Sequence, residues 1–154
     1  MSAVEVLLGV QEASFAGADG ALRGSWSPER AMGAVELESF LEERTFCVLA
    51  TTTGKGRPQA RPVAFAVFGD AFWFATVAGG RLRNLRRTPW GSVVISEGEG
   101  EEHRMVAADG PVTVVAELPE GLLEAWEQRT GSRAEWAAAW LELRPERLYS
   151  YTRA

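Results

Sequence analysis

The chain has little of the chemistry from which proteins build metal centres and catalytic nucleophiles. Its 154 residues include one cysteine, Cys47, and one histidine, His103. A structural zinc site takes four Cys or His ligands, so a site of that kind is excluded. A Cys–His pair would need the only copy of each, and the sequence has no GxSxG nucleophile elbow, P-loop or helix-opening GxGxxG fingerprint. Nucleophilic hydrolysis and a Rossmann nucleotide site are therefore unsupported.

Long apolar runs are also missing. No run approaches the ~20 residues that a membrane-spanning helix needs, and the first residues lack the basic start and apolar core of a signal peptide. Cys47 lies in the apolar run FCVLA and has no partner for an internal disulfide, so we expect a small buried side chain rather than a reactive thiol. These absences predict a cytoplasmic protein that makes no membrane contact.

Composition predicts one globular domain with an N-terminal extension. The chain is 46% hydrophobic and 24% charged, which is ordinary for a soluble protein, and its length suffices to bury a core. Residues 1–27 are weakly patterned and rich in Ala, Gly and Ser, so we expect a loosely attached arm there. Residues 28–154 are expected to form the single folded domain.

Short apolar runs separated by turn signals predict a mainly β fold. We expect helices at residues 34–43, 81–87, 119–129 and 132–141, and strands at residues 45–52, 58–68, 71–77, 92–96, 103–117 and 145–152. The last helix is expected because Trp136 and Trp140 are spaced by one helical turn, and the acidic stretch EGEGEE is expected to be a loop. Connections this short join antiparallel neighbours. We therefore predict a split β-barrel of about six antiparallel strands flanked by short helices.

Positive charge is concentrated in one window of an acidic chain. Residues 51–90 hold seven Lys or Arg and a single acid, Asp70, which gives a net charge of +6. Since the whole chain carries −5, the remaining residues carry −11. Such a window is typical of a site for a specific anion, whereas a nucleic-acid-binding protein would be basic throughout.

Two parts of this window are suited to an anion. Gly79–Gly80 opens a short helix whose first N–H groups attract anions, and Arg81 and Arg83 add forked donors that match phosphate oxygens. Arg61 precedes Pro62 in an otherwise apolar strand, which indicates an anionic partner, and Pro62 predicts a strand edge or a bend. The alternatives are a solvent-exposed basic helix and a structural Arg61 paired with one of the many acids.

Three segments together resemble a known family. They are LATTTGKGRPQARPV, FWFAT and GGRLRNLRRTPWGSVVI, which lie within residues 35–115. This set resembles the pyridoxamine 5′-phosphate oxidase-like split-barrel flavoproteins. The resemblance implies a homodimer that binds FMN, or in some branches the deazaflavin coenzyme F420, at each interface. The large apolar side chains of Phe72, Trp73 and Trp90 also suggest a surface that a second subunit covers.

The resemblance also implies which residues bind the cofactor. The cofactor-binding candidates are Arg61, Pro62, Val63, Thr76, Arg81, Leu82, Arg83 and Asn84. Of these, residues 61–63 are expected to line the ring and ribityl chain, and Thr76 with residues 81–82 to reach the phosphate. The family commonly has Lys where Arg81 stands, so the charge is kept while the geometry changes. Asn84 matches an Asn-Leu pair of the family that we interpret as helix capping and packing.

The predicted function follows from these expectations. We expect an FMN-dependent oxidoreductase that transfers hydride or electrons between its cofactor and a small organic molecule, with no protein nucleophile. No catalytic side chain is identified. The alternatives are a deazaflavin-dependent reductase and a flavin- or haem-binding protein without turnover. The substrate-binding pattern of true pyridoxamine phosphate oxidases is not visible in the tail, so vitamin B6 is not the expected substrate.

Overall fold

The computed structural model describes residues 1–153. They contain eight antiparallel strands and five α-helices. The helices are α1 (Ala3–Ala16), α2 (Gly20–Ser25), α3 (Ala34–Glu43), α4 (Gly80–Arg87) and α5 (Leu122–Thr130). The strands are β1 (Phe46–Thr52), β2 (Pro58–Ala64), β3 (Ala66–Phe68), β4 (Ala71–Thr76), β5 (Trp90–Glu99), β6 (Glu102–Val115), β7 (Ala139–Leu143) and β8 (Arg147–Thr152). None of the described helices is long and apolar enough to cross a membrane.

The strands form one strongly curled sheet, which confirms the predicted split barrel. Their order is β2-β1-β5-β6-β7-β4-β3, and β8 lies beside β6. The long strand β6 makes the curl, because residues 104–109 pair with β8 and residues 112–115 pair with β7. Between these two parts, a Cβ on Gly110 would lie 2.1 Å from the Arg144 carbonyl oxygen. Only glycine fits this close approach of two backbones.

Two predicted elements in the first half of the sheet differ from the structure. The strand expected at residues 58–68 is two strands, because the chain changes neighbours at Phe65: β2 pairs with β1, and β3 pairs with β4. The loop expected at EGEGEE is largely a continuation of β5 and β6, which pair as far as Glu99 and Glu102. The alternating Gly and Glu residues are typical of a loop, but here they belong to a long hairpin that closes with a short turn.

The helix predicted at residues 132–141 is wrong. Trp140 lies in β7, where its backbone faces Ala75 of β4 and Val115 of β6. Its ring meets the Trp126 ring edge to face at 5.0 Å. The four-residue spacing of the two tryptophans also fits a helix. The segment forms a strand instead because it pairs with the edges of both β4 and β6.

Residues 1–27 are not a loosely attached arm. In α1, Leu7 is fully buried, the Gln11 amide donates to the Met32 carbonyl oxygen at 3.0 Å, and the Ser14 hydroxyl accepts from the Leu148 backbone N–H at 3.0 Å. Helix α1 therefore covers β8, which is the last strand of the sheet. Two of its inward-facing side chains are polar, so the hydrophobic pattern did not reveal the buried face. The boundary between residues 27 and 28 stays a prediction.

The core explains why two of the large aromatic residues do not need a second subunit. Every residue of β4 is buried, including Phe72 and Trp73. Their side chains pack inside one chain, so they give no reason to expect a dimer, and that part of the argument is wrong. Trp90, at the start of β5, stays exposed. Cys47 is buried in the same core, as predicted.

We expect Leu7→Ala to lower the free energy of unfolding by about 2–5 kcal/mol, because it leaves a cavity between α1 and the sheet. Chemical denaturation followed by circular dichroism measures this. The matched control is Val35→Ala, since Val35 is 83% exposed on α3 and its loss should cost little. Equal stability of the two variants would show that α1 is not part of the core.

Stability should also fall at alkaline pH because of Cys47. Burial raises the pKa of this thiol to about 12. In the unfolded chain the thiol has its ordinary pKa near 8.5. Above that pH, the unfolded chain therefore binds fewer protons than the folded chain. Stability is therefore lost as pH rises from about 8.5 towards 12. Between about pH 8 and pH 10, the free energy of unfolding of Cys47→Ala should fall by about 2 kcal/mol less than that of the wild type. Rapid thiol labelling of the folded protein would contradict this placement.

Candidate functional site

The N-terminus of α4 is open to a ligand. Strand β4 ends at Thr76, residues 77–79 make the connection, and Gly80 begins the helix. No side chain of the part of the chain that the structure describes caps the first turn. Its N–H groups are therefore available to an external acceptor, and the helix dipole favours a negative charge there. Leu82 and Leu85 are buried and hold the helix on the barrel, so the Leu82 side chain does not face the site as the resemblance implied.

Asn84 fixes the position of this helix. Its side-chain amide nitrogen donates to the Thr51 hydroxyl at 3.0 Å and to the Gln59 amide oxygen at 3.1 Å. One buried residue of α4 is thus bonded to β1 and to β2. Gln59 also lies beside the helix start, because its oxygen would be 3.7 Å from a Cβ on Gly80. The amide nitrogen of Asn84 is occupied by protein partners, so this group positions the turn.

Arg81 lies at the centre of the site. Its guanidinium reaches the Thr76 hydroxyl at 3.5 Å and the Pro62 carbonyl oxygen at 3.4 Å. Both contacts are long, and the guanidinium has no carboxylate within 4.0 Å in the described part of the chain. Burial lowers the pKa of this guanidinium. A half-buried cation with two weak neutral contacts has unused capacity for an anion.

Strand β2 forms the other wall of the site. It lies at the edge of the sheet, in agreement with the expectation from Pro62. Gln59, Arg61 and Val63 share one face of β2, because their partners in β1 are Thr51, Leu49 and Cys47, which are all buried. Val63 is buried with them, whereas Arg61 is exposed and donates to the carbonyl oxygen of its neighbour Ala60 at 2.9 Å.

The predicted residues therefore separate into two groups. The Arg81 guanidinium joins the exposed Pro62 to the buried Thr76, and Arg61 and Arg83 are exposed on β2 and α4. Val63, Leu82 and Asn84 point into the protein and support the site from behind. Sequence reasoning missed Thr51 and Gln59. Their signal was weak, since each is a polar residue in a strand and becomes informative only when the register is known.

All seven cations of the window at residues 51–90 lack an ion pair among residues 1–153. They are Lys55, Arg57, Arg61, Arg81, Arg83, Arg86 and Arg87. The one acid of the window, Asp70, instead pairs with Arg144 at 3.7 Å. The positive charge seen in the sequence is thus not neutralised by folding, and it remains as a field around α4 and the β1–β2 turn.

Other groups that could carry chemistry lie elsewhere. His103 is in the β5–β6 hairpin, where its Nδ1 lies 2.7 Å from the Gly100 carbonyl oxygen and its ring stacks on Tyr151. A groove of about 420 Å³ borders this histidine. No group of three or more His, Cys, Asp or Glu residues within the described range could hold a metal ion. The arrangement at α4 can therefore bind and orient an anion, while His103 is not part of it.

Comparisons with known proteins agree with this fold. A conserved hypothetical protein, Rv2991, from Mycobacterium tuberculosis has a TM-score of 0.72 at 23% identity, with 83% of this chain and 89% of that chain covered. An FAD-binding protein from Mesorhizobium loti has a TM-score of 0.64 at 22% identity, with 79% of this chain and 93% of that chain covered. HutZ, the heme storage protein from Vibrio cholerae, has a TM-score of 0.62 at 21% identity, with 76% of this chain and 93% of that chain covered. At these identities the likeness shows the fold alone.

The family follows from the sequence match. No curated protein matches the chain. The family model described as pyridoxamine 5′-phosphate oxidase, however, matches residues 35–152, which is well over half of the chain and includes every strand, α4, α5 and all of α3 but its first residue. The split barrel, the glycine-opened helix α4 and this match together show that the chain belongs to the pyridoxamine 5′-phosphate oxidase-like split-barrel family.

Proposed function

We propose that this protein binds a flavin-type coenzyme through its phosphate at the N-terminus of α4 and uses it for hydride or electron transfer to a small organic molecule. The observation that carries the proposal is Arg81. It is half-buried and stands between Thr76 and Pro62 beside the start of α4, and among residues 1–153 it has no carboxylate partner and the helix start has no side-chain cap. A phosphate dianion would satisfy both the guanidinium and the free N–H groups.

Each side chain of the site has a separate task in this proposal. Arg81 and the first turn of α4 bind the phosphate, and Arg83 adds charge at the rim. Pro62 and Arg61, on the edge strand, are placed to border the rest of the coenzyme. Asn84 holds the helix in place from behind. The coenzyme supplies the redox chemistry when it is bound, which explains why the chain needs no acid–base pair of its own near this site.

FMN is the coenzyme that we favour, with F420 as the alternative. Both carry a phosphate, and the unpaired cations would also suit the acidic tail of F420. Flavin binding is supported by the FAD-binding protein from Mesorhizobium loti among the similar structures. Haem is supported by HutZ. The placement of His103 in the hairpin argues against a histidine-ligated haem at α4, because the chain's only histidine is not there.

We also propose that the protein is a homodimer. The α4 site borders β2, which lies at the edge of the sheet, and a second subunit packed there would complete it. Phe72 and Trp73 no longer contribute to this argument. Trp90 does, because it remains exposed at the start of β5 next to α4. The mass of the purified protein in solution tests this part of the proposal, since a dimer has twice the chain mass of 16.8 kDa.

We expect the protein without cofactor to bind FMN with a dissociation constant below about 100 μM, and Arg81→Ala to weaken binding by about 1.5–3 kcal/mol, the scale of a hydrogen bond to a charged group. This corresponds to a roughly 10- to 150-fold higher constant. Titration followed by visible absorbance measures it. Arg144→Ala is the matched control, because Arg144 is exposed and paired with Asp70 and Glu142. Equal affinity of wild type and Arg81→Ala would place the phosphate elsewhere.

Turnover separates the enzyme from a binding protein. The protein loaded with FMN, or with F420, should reoxidise its reduced coenzyme faster in the presence of a small organic acceptor than free coenzyme does. Stopped-flow absorbance across a panel of acceptors measures this rate. Tight binding without any acceleration would replace the oxidoreductase with a flavin-binding protein that does not turn over. Failure of both coenzymes to bind would remove the proposal.

A further inference from the structure

The side chain of Gln59 lies beside the start of α4. It is half-buried and shares a face of β2 with the buried Val63. A Cβ on Gly80, the first residue of α4, would lie 3.7 Å from the Gln59 Oε1 atom and 3.8 Å from the Arg83 Nη2 atom. An amide from β2 and a guanidinium from α4 therefore converge on the N-terminal turn of the helix.

The orientation of the Gln59 amide is decided by Asn84. The Asn84 Nδ2 atom has two N–H groups, and it donates to the Thr51 hydroxyl at 3.0 Å and to the Gln59 Oε1 atom at 3.1 Å. Turning the Gln59 amide over would bring two NH2 groups together, so the bond from Asn84 assigns its oxygen and its nitrogen. The Gln59 Nε2 atom has no hydrogen-bond partner within residues 1–153. Two N–H donors beside α4 are thus free.

The acceptors of this site are already used. The Thr76 hydroxyl and the Pro62 carbonyl oxygen both accept from the Arg81 guanidinium. The first N–H groups of α4, at residues 80–82, have no partner within the helix. What the site still offers a ligand is therefore a set of donors, to which Gln59 adds a neutral one.

A set of donors distinguishes one form of phosphate from another. A monoester dianion has three terminal oxygens, and all of them accept hydrogen bonds. The monoanion of the same ester carries a P–O–H group, which needs an acceptor that this site does not have free. A diester, such as the phosphate of F420, has only two terminal oxygens. The monoester dianion therefore uses more of these donors than either of the other forms.

We propose that Gln59 is a phosphate-binding residue, oriented by Asn84, and that the site which it completes selects a terminal phosphate monoester in its dianionic form. This inference rests on the function proposed above and specifies which phosphate the site takes. It places the contact in a residue outside the cofactor-binding set that the sequence predicted. Asn84 acts through Gln59 and is a positioning residue.

The cations around the phosphate keep their charge between pH 5 and pH 7.5. They are Arg61 on β2 and Arg81 and Arg83 on α4. In β1 the titratable side chain is Cys47, whose pKa burial raises to about 12, and β4 has none. Strand β6 also packs against α4. Its charged side chains lie in the hairpin with β5 or opposite β8: Glu102, His103, Arg104 and Asp109. A change of affinity near pH 6 therefore reports the phosphate, whose second pKa is about 6.

Gln59→Glu tests the contact, because the new carboxylate can still accept from Asn84 while it presents a negative charge to the phosphate. It should raise the dissociation constant for FMN at pH 7.5 roughly 10-fold or more. Riboflavin, which lacks the phosphate, should bind the variant and the wild type equally. Between pH 7.5 and pH 5 the wild-type constant for FMN should rise roughly 10-fold, and the difference between the two proteins should shrink, because a P–O–H group can donate to the carboxylate. Flavin fluorescence titration measures each constant.

The matched control is Ala60→Glu, which adds the same charge at the next residue, exposed on the opposite face of β2. It should bind FMN like the wild type. The inference is overturned if Gln59→Glu binds FMN as the wild type does, if riboflavin is weakened equally, if the wild-type constant is the same at pH 5 and pH 7.5, or if F420 binds and FMN does not. Each of these outcomes leaves the proposed function standing, whereas failure of both coenzymes to bind the wild type removes it.

Discussion

The arrangement of the site depends on the buried amide of Asn84. Its nitrogen donates to Thr51 in β1 and to Gln59 in β2, so a single residue of α4 is tied to both strands. Since only residues 77–79 join β4 to the helix, fixing α4 also fixes the turn at its N-terminus. Arg81 is thereby held against the edge of β2. Loss of this contact would free the helix to rotate, and the anion donors would no longer converge.

Local patterns in the sequence predicted the fold well where neighbouring residues decide the structure. The helix expected at residues 34–43 has those bounds in the structure, and turn signals correctly separated most of the strands. The predictions failed where distant contacts decide. Trp140 was assigned to a helix by its spacing from Trp136 but lies in β7, because β4 and β6 each needed a neighbour. Helix α1 was missed because its buried face includes polar side chains that bond to β8.

The candidate site was predicted in part for the same reason. Charge and glycine content are visible in the sequence, and they indicated the Gly79–Gly80 turn and Arg81. Which side chains face a ligand is decided by register and helix rotation. These turn Val63 and Leu82 inwards, and they bring Gln59 beside Gly80. A sequence without its strand pairing could not separate the residues that border the site from those that support it.

The unpaired cations of the window at residues 51–90 support an anion as the missing partner. Their mutual repulsion disfavours the compact chain, and Arg81 additionally loses hydration without gaining a carboxylate. Proteins keep such local conflicts mainly where a ligand or partner relieves them. Helix α4 has eight residues and is therefore about 12 Å long, which exceeds the Debye length of about 8 Å. An anion at its N-terminus is thus largely screened from Arg86 and Arg87 at the other end, so it relieves mainly the charge of the half-buried Arg81.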